Sequence, residues 1–145
     1  MPVNYLPKGY SQVTPFISVP NASGLIEFLS KAFGFQTRLR MDTPSGEIGH
    51  AEVALGNSVL MVADPDERAI NMPACVHLYV EEVDRTYKAA LEAGATSETE
   101  PETHFYGDRS ATVVDQWGNR WFISTHVEDV SDEEMRKRAV EAMNT

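Results

Sequence analysis

The sequence predicts an α+β fold made of a duplicated βαβββ module with an added C-terminal helix. Two stretches share one layout, in which a strand ends in valine and is followed by an amphipathic helix that stops at glycine; the two valines, Val19 and Val80, are 61 residues apart. A Gly-Asn pair also recurs, at Gly56 and Gly118, 62 residues apart. A period of about sixty residues is too long for most solenoid repeats and is typical of a duplicated module.

The first half of the chain is predicted to contain one strand, one helix and three further strands. Alternating polar and apolar residues predict strands over 13–19, 35–41, 48–55 and 58–63. Pro15 cannot donate a ladder hydrogen bond, so it favours a sheet edge. Asn21 is a preferred N-cap for a helix over 22–33, and Gly34 can take the left-handed conformation that ends it. Before these elements, an arm over 1–10 carries Tyr5, Leu6 and Tyr10, which we expect to pack on the protein.

The second half repeats this order. We expect strands over 75–80, 96–102, 110–115 and 120–126, with a helix over 83–93. The strand over 96–102 is rich in Thr and Glu and is expected at a sheet edge. Ser131 and Glu134 form a capping-box pattern, which predicts the start of the C-terminal helix.

We expect residues 1–145 to form a single domain. Module one spans about 11–64, a linker about 65–73, module two about 74–126 and the C-terminal helix about 131–143. Each module provides a four-stranded sheet with a helix on one face and nothing on the other. Two such sheets can pair so that their bare faces curve around a shared cavity, which is a natural place to bind a small molecule.

Composition excludes some classes of partner. The net charge of −10 argues against nucleic acids and anionic membrane surfaces. It is compatible with a cationic ligand, although a solvated acidic surface also explains it. The single cysteine fits a reducing compartment. No apolar run approaches the roughly 20 residues that span a bilayer, and no signal-peptide pattern is seen, so we expect a cytoplasmic protein.

Several stretches together resemble the vicinal oxygen chelate superfamily, which includes glyoxalase I, extradiol dioxygenases and the fosfomycin- and bleomycin-resistance proteins. The resemblance covers nearly the whole chain and is sharper for the PhnB-like subgroup. It implies a homodimer with a cavity in each curved sheet, but it does not imply one reaction. The stretches are TPFISV, EFLSKAFGF, GHAEVALGNSVLMVAD, HLYVEEVD, FYGDRSATVVDQWGNRWFISTH and VEDVSDEEM.

The resemblance also indicates where metal-dependent relatives carry their ligands. On the first strand of each module the corresponding positions here are Thr14 and Cys75. On the last strands they are Leu60 and Phe122, or Met61 in place of Leu60 if the first hairpin is offset by one residue. A divalent ion needs oxygen or nitrogen donors, which these residues largely lack. We therefore expect no metal and no cofactor, which argues against the usual glyoxalase, dioxygenase or fosfomycin-transferase chemistry.

Three residues are candidates for catalysis. His77 shares a strand face with Cys75 and Tyr79, so we expect it to face the cavity, as a general base or as a ligand in a displaced metal site. Alternatively, a neighbouring backbone group satisfies it. His50 and Glu52 also share a strand face and could hold a metal or move a proton. The alternative for this pair is an exposed polar surface.

A loop expected over 104–109 contains residues suited to closing over a ligand. Tyr106 offers an aromatic surface, and Arg109 could bind a carboxylate or phosphate with two hydrogen bonds. The alternative is an Asp108–Arg109 contact that merely fixes the loop. Arg120 and His126 share the strand face of Phe122 and could lie at the rim of the pocket, although a solvated rim is the alternative.

Two functional hypotheses follow. The first is a small-molecule-binding protein of the bleomycin-resistance kind, without metal, whose acidic, aromatic cavity sequesters a ligand. The second is a glyoxalase-like lyase or isomerase that uses His50, Glu52 and His77 around a relocated divalent ion. For the first hypothesis we expect the ligand-binding residues to be Thr14, Phe16, Cys75, Tyr79, Tyr106, Arg109 and Phe122.

Overall fold

A computed structural model describes residues 2–144 of the chain. Positions 1 and 145, which belong to the predicted domain span, lie outside the described residues. The chain divides into two compact units, the first ending at Ala74 and the second beginning at Cys75. Each unit contains one four-stranded mixed sheet, and its strands and first helix follow in the predicted βαβββ order. The predicted fold class is therefore confirmed.

The first unit places its core between one helix and one sheet. Strand β1 runs parallel to β4, and the sheet order is β1-β4-β3-β2. Helix α1 packs on β3 and β4, and it buries seven of its residues, among them Leu25, Phe28 and Leu29. The elements are β1 (Phe16–Ser18), α1 (Ala22–Phe33), β2 (Gln36–Asp42), β3 (Ile48–Leu55) and β4 (Ser58–Ala63).

The second unit has the same topology. Its sheet order is β5-β8-β7-β6, β5 runs parallel to β8, and α2 packs on β6, β7 and β8. Trp121 and Ile123 on β8 and Val113 on β7 are completely buried in this core. The elements are β5 (Cys75–Tyr79), α2 (Val83–Glu92), β6 (Thr96–Thr103), β7 (Asp108–Val114), β8 (Arg120–His126) and α3 (Asp132–Met143).

The helix boundaries follow the predicted capping residues. The Gly24 N–H donates to the Asn21 side chain at 3.2 Å, and the backbone of Asn21 has the left-handed conformation, with φ 59°. Gly34 ends α1 in the left-handed conformation, with φ 84°. At α3 the Glu134 N–H donates to the Ser131 hydroxyl at 3.1 Å. These local signals therefore predicted where α1 and α3 begin and where α1 ends.

Strand β1 is shorter than the expected strand over 13–19. Its ladder with β4 begins at the pair Phe16–Met61, and Val13 is 83% exposed. Pro15 contributes only its carbonyl, which accepts from the Met61 N–H at 3.0 Å. The predicted edge position is confirmed, because β1 is the outer strand of its sheet.

Strand β7 begins earlier than expected, so the loop predicted over 104–109 is confined to 104–107. The His104 N–H donates to the Asp108 carbonyl at 2.8 Å and closes a tight turn, in which Gly107 has φ 98°. Asp108 and Arg109 are therefore consecutive strand residues whose side chains point to opposite faces. The Asp108–Arg109 contact, offered as the alternative to ligand binding by this loop, is wrong for this reason.

The acidic strand β6 lies at the edge of its sheet, as predicted. It contains Pro101 within a register irregularity between Thr99 and Glu102, where a missing N–H costs no ladder bond. Within residues 2–144, no helix has the length and apolar character needed to cross a membrane. We call the sheet face opposite the helix of each unit its open face.

Candidate functional site

The open face of the first sheet carries the residues that matter for ligand binding in the first unit. Phe16 pairs with Met61, and Met61 pairs with Glu52, so these three side chains lie side by side across three strands. Leu60 points the other way and is only 4% exposed, in the core. Met61, rather than Leu60, therefore occupies the open-face position that the family pattern assigns to a ligand.

The N-terminal arm builds a cavity on this face. The cavity has a volume of about 520 Å³ and includes Thr14, Glu52 and Met61 among its lining residues. The arm and the two residues after it, Ser11 and Gln12, supply the remaining lining, with Tyr5 and Tyr10 as its aromatic members. Phe16, a predicted ligand-binding residue, is 45% exposed on the same sheet face but is not among the lining residues.

Arg38 on β2 fastens the arm in place. Its two terminal guanidinium nitrogens donate to the Gly9 and Lys8 carbonyls, both at 3.3 Å. The guanidinium carbon lies 5.2 Å from the centre of the Tyr10 ring, which is cation–π geometry. Gly9 has φ 84°, and a β-carbon there would lie 2.9 Å from the Arg38 side chain. The close approach of the arm thus depends on glycine at this position.

Glu52 is the charged group of the cavity. Its side chain is 15% exposed, and its carboxylate lies 3.5 Å from His50 Nε2, so the predicted pair is in contact. The Tyr10 hydroxyl is the largest influence that lowers the pKa of Glu52, and His50 and Arg38 lower it further against the effect of burial. The carboxylate is therefore ionised at neutral pH.

The Tyr10 hydroxyl is buried without a hydrogen-bond partner among the described residues. The Glu52 carboxylate is close by, but outside the geometry of a full hydrogen bond. Burial and the neighbouring carboxylate raise the pKa of Tyr10 to about 12. A buried hydroxyl without a partner is costly, so a bound molecule or a water that hydrogen-bonds to it is favoured in this cavity.

The open face of the second sheet carries His77, as the alternation on β5 predicts. Cys75, His77 and Tyr79 are exposed on it, whereas Leu78 is buried on the opposite side. The His77 ring stacks on Tyr79, with 4.9 Å between ring centres, and lies 6.1 Å from Phe122. These four predicted residues thus lie on one surface.

A side chain, rather than a backbone group, satisfies His77. Its Nε2 lies 2.8 Å from the Ser124 hydroxyl, which in turn lies 2.7 Å from the Ser110 hydroxyl. Ser124 is completely buried, so a substrate could not reach its oxygen without a rearrangement of the sheet. We therefore interpret this chain of hydrogen bonds as structural.

A second polar network joins β5, β7 and β8. Asp108, which is 6% exposed, accepts from the Tyr79 hydroxyl at 2.8 Å, and its other oxygen lies 2.9 Å from His126 Nδ1. His126 Nε2 lies 2.7 Å from the fully exposed Asp129. Burial alone would raise the pKa of Asp108, but the hydrogen bonds from His126 and Tyr79 outweigh it and lower the pKa. Asp108 and Asp129 raise the pKa of His126.

This network forms part of a second cavity, of about 490 Å³, which is confined to the second unit. Tyr79, Asp108 and His126 line it from the sheet, and the loop residue Tyr106 lines it from the side. Helix α3 completes the lining with Arg136 and two other residues. Of the predicted ligand-binding residues, the second unit therefore brings Tyr79 and Tyr106 into a cavity.

Arg109 lies outside this cavity, and its guanidinium is engaged. It donates to both oxygens of Asp84 on α2, at 2.7 and 3.0 Å, and to the Thr103 hydroxyl. Asp84 raises the pKa of Arg109, as expected for a paired guanidinium. The two-pronged carboxylate contact expected for Arg109 thus exists, but its carboxylate belongs to the protein.

The residues at the four family positions do not fit a divalent metal ion. Thr14 and Met61 occupy the two positions in the first unit, and Cys75 and Phe122 those in the second, so a hydroxyl, a thioether, a thiol and a phenyl ring replace the usual donors. Within residues 2–144, no three His, Cys, Asp or Glu side chains are grouped so that they could hold a metal ion. His50 and Glu52 meet, but no third such ligand from the described part of the chain joins them.

The contacts that shape both cavities carry no signal in the sequence patterns described above. Tyr10 was expected to pack on the protein, but nothing indicated that Glu52 would be its neighbour. The sequence predicts a loop at Asp108 and offers only Arg109 as its partner, whereas in the structure Asp108 lies on β7 and contacts His126. Knowing the exact register of β7 against β8 would have revealed the Asp108–His126 contact, since these two residues are direct cross-strand partners.

The sequence and fold define the family of this chain. The model described as "Glyoxalase/Bleomycin resistance protein/Dioxygenase superfamily" matches residues 11–123. The chain belongs to this superfamily, as the repeated βαβββ motifs predicted.

Curated relatives include two uncharacterised mycobacterial proteins. One, from Mycobacterium bovis, is 29% identical over 135 residues, and the match covers 86% of this chain and 89% of the relative. The other, from Mycobacterium tuberculosis, is also 29% identical over 135 residues, and the match covers 86% of this chain and 79% of the relative. Their similarity thus extends over most of both chains without indicating an activity.

Solved structures agree in fold. TioX from Micromonospora sp. ML1 superimposes with a TM-score of 0.70 at 23% identity, covering 81% of this chain and all of the other. Protein PA1353 from Pseudomonas aeruginosa gives a TM-score of 0.67 at 16% identity, covering 82% of this chain and all of the other. A glyoxalase/bleomycin resistance protein/dioxygenase family enzyme from Burkholderia phytofirmans PsJN gives a TM-score of 0.64 at 19% identity. The match covers 79% of this chain and 97% of the other.

Proposed function

We propose that this member of the superfamily is a small-molecule-binding protein whose ligand is an organic cation with an aromatic or apolar body. In this proposal the ligand occupies the cavity between the N-terminal arm and the open face of the first sheet. Glu52 holds the positive charge, Tyr5 and Tyr10 contact the body of the ligand, and no divalent metal takes part.

The observation that carries the proposal is the pairing of an ionised carboxylate with an unpartnered hydroxyl inside one aromatic cavity. Glu52 keeps its negative charge at neutral pH because its pKa is lowered. An ammonium group that donates to Glu52, and to the buried Tyr10 oxygen once the arm shifts to expose it, would satisfy both groups at once. The tyrosine rings add cation–π attraction and apolar contact area. The net charge of −10 favours the approach of such a ligand.

The metal-free part of the proposal is supported by the four family positions. Met61 and Phe122 offer no oxygen or nitrogen donor, and Thr14 is a poor ligand. A glyoxalase-like reaction with a relocated ion, the alternative function, would need His50 and Glu52 to gain a third ligand. Metal analysis by mass spectrometry of untagged protein, purified without chelator, distinguishes these functions. A stoichiometric divalent metal would favour the alternative.

A thermal-shift comparison tests the ligand class. We expect 2-naphthylmethylammonium to raise the melting temperature and neutral 2-naphthylmethanol to raise it far less, because only the cation pairs with Glu52. Glu52→Gln should remove this difference, whereas Glu47→Gln, at an exposed turn position, should keep it. Equal shifts for the cation and the alcohol would contradict a charge-selective site.

Two finer predictions also remain proposals. Membership of the PhnB-like subgroup and a homodimer are both implied by the resemblance of the sequence. Light scattering coupled to size-exclusion chromatography tests the dimer directly. A molar mass near the 16.1 kDa of one chain would contradict it.

A further inference from the structure

We propose that the cavity beneath α3 in the second unit is a second binding site, for an organic carboxylate with an aromatic body, held by His126 and Arg136. This site shares no residue with the cavity at Glu52, and it does not depend on the function proposed above. We call it the α3 site; its lining includes Tyr79, Phe105, Tyr106, His126 and Arg136.

Arg136 differs from the other four arginines of the second unit. Arg85, Arg109, Arg120 and Arg138 each form an ion pair with a carboxylate of the protein. Among residues 2–144, Arg136 forms none, although it lines a cavity. A guanidinium without a partner at the edge of an aromatic cavity is suited to a carboxylate, which it can bind with two hydrogen bonds.

His126 supplies a second hydrogen-bond donor to the α3 site. One of its ring nitrogens is held by a buried carboxylate, and the other contacts an exposed carboxylate that a ligand can replace. Its Nδ1 is held at 2.9 Å by the buried Asp108, and this contact fixes the ring. Its Nε2 contacts Asp129, whose side chain is fully exposed on the segment that follows β8. An exposed ion pair of this kind contributes little free energy, so a ligand carboxylate can replace Asp129 on Nε2 at small cost.

The walls of the α3 site favour an aromatic ligand body. The Phe105 and Tyr106 rings meet edge to face with centres 5.3 Å apart, and Phe105 is 38% exposed. Tyr79 is 62% exposed although its hydroxyl is bound to Asp108. A planar ring can therefore cover apolar area that the protein leaves open to water.

The charge on His126 gives the site a pH dependence. The groups that face it are Asp108 on β7, Asp129 after β8 and, through Asp108, Tyr79 on β5; Arg136 of α3 lines the same cavity. The two carboxylates raise the pKa of His126 above 6.5, so the imidazolium is present below that value and is lost as the pH rises through the raised pKa. Carboxylate binding should weaken over the same interval.

Titration of the full chain with 2-naphthoate tests the proposal. We expect binding at pH 6 that neutral 2-naphthamide does not match. Arg136→Gln and His126→Gln should each weaken naphthoate binding about tenfold, the effect of losing one charge-assisted hydrogen bond. Lys137→Gln, the matched control on the same helix and outside the cavity, should bind as the wild type does. Glu52→Gln should also bind normally, which separates this site from the first cavity.

Amide chemical shifts in the same titration locate the ligand. Changes at residues of β8, the 104–107 turn and α3 are expected, with the unit that ends at Ala74 unaffected. Equal affinity for the amide and the carboxylate would overturn the proposal, as would no detectable naphthoate binding or an unchanged affinity in Arg136→Gln. If His126→Gln fails to fold, the Arg136 and Lys137 variants still decide the outcome.

Discussion

The guanidinium of Arg38 lies over the ring of Tyr10, with 5.2 Å between its central carbon and the ring centre. The two residues come from β2 and from the arm that precedes β1. This contact, together with the two hydrogen bonds from Arg38 to the arm backbone, closes one side of the first cavity. A single side chain thus connects the sheet to the segment that makes the candidate site.

Replacing Arg38 with Met should release the arm. The variant keeps an apolar stem but loses the cation–π contact and both hydrogen bonds, a loss of about 1 kcal/mol for the local docking of the arm. Hydrogen exchange should therefore accelerate at the Tyr10 amide, which donates to the Pro7 carbonyl at 3.1 Å. Arg68→Met, at an exposed position in the linker, is the control. Unchanged exchange at Tyr10 would show that the arm is held by other contacts.

Replacing Tyr10 with Phe should raise the pKa of Glu52. The Tyr10 hydroxyl is the largest influence that lowers this pKa, so the carboxylate becomes easier to protonate without it. Global stability should not fall, because the hydroxyl has no hydrogen-bond partner to lose and its burial without one is costly. Carboxyl carbon shifts followed by NMR through acid titration measure the effect. A pKa for Glu52 that is the same in both proteins would remove Tyr10 from the electrostatics of the site.

Asp115 should be among the most important polar residues for stability. It is 5% exposed, and it accepts hydrogen bonds from the Trp121 ring at 2.8 Å, the Asn119 side chain at 2.9 Å and two backbone N–H groups. Asp115→Ala leaves buried donors without an acceptor and should lower the free energy of unfolding by about 3 kcal/mol or more. Glu100→Ala, on the exposed strand β6, should change it by less than about 0.5 kcal/mol. Urea unfolding of both variants measures whether Asp115→Ala loses more free energy of unfolding than Glu100→Ala.

His126 should make stability fall at alkaline pH. Its pKa is raised in the folded protein by Asp108 and Asp129, so its stabilising contribution is complete below about pH 6.5 and is lost as the pH rises through the folded pKa. In His126→Gln this part of the pH dependence should disappear, whereas His104→Gln should retain it. Urea unfolding between pH 5.5 and 9 measures the slope. If the free energy of unfolding of His126→Gln falls with pH as steeply as that of the wild type, another group causes the pH dependence.

Much of the fold was predictable because its signals are local or repeated. The residues that cap α1 and α3 lie within a few positions of the bonds they make, and the alternation on β5 correctly placed His77 beside Tyr79. The Gly-Asn turns marked equivalent hairpins in the two units. Such patterns need no knowledge of which distant segments meet.

The candidate site was less predictable because its contacts depend on register and on long-range docking. The arm meets Arg38 across about thirty residues, and no periodicity links the two. The family pattern did not decide whether Leu60 or Met61 occupies the position of the metal ligand. Only the pairing of β3 with β4 decides between them. Arg109 was a plausible ligand-binding residue until the packing of α2 supplied Asp84 as its partner.

The most direct test of the proposed function is calorimetric titration of chelator-treated protein with 2-naphthylmethylammonium. We expect saturable binding that added divalent metal does not change and that Glu52→Gln weakens about tenfold, since one charge-assisted contact is lost. Binding that appears only after a divalent metal is restored would contradict it and favour the metal-dependent alternative. An unchanged affinity in Glu52→Gln would equally contradict the role given to this carboxylate.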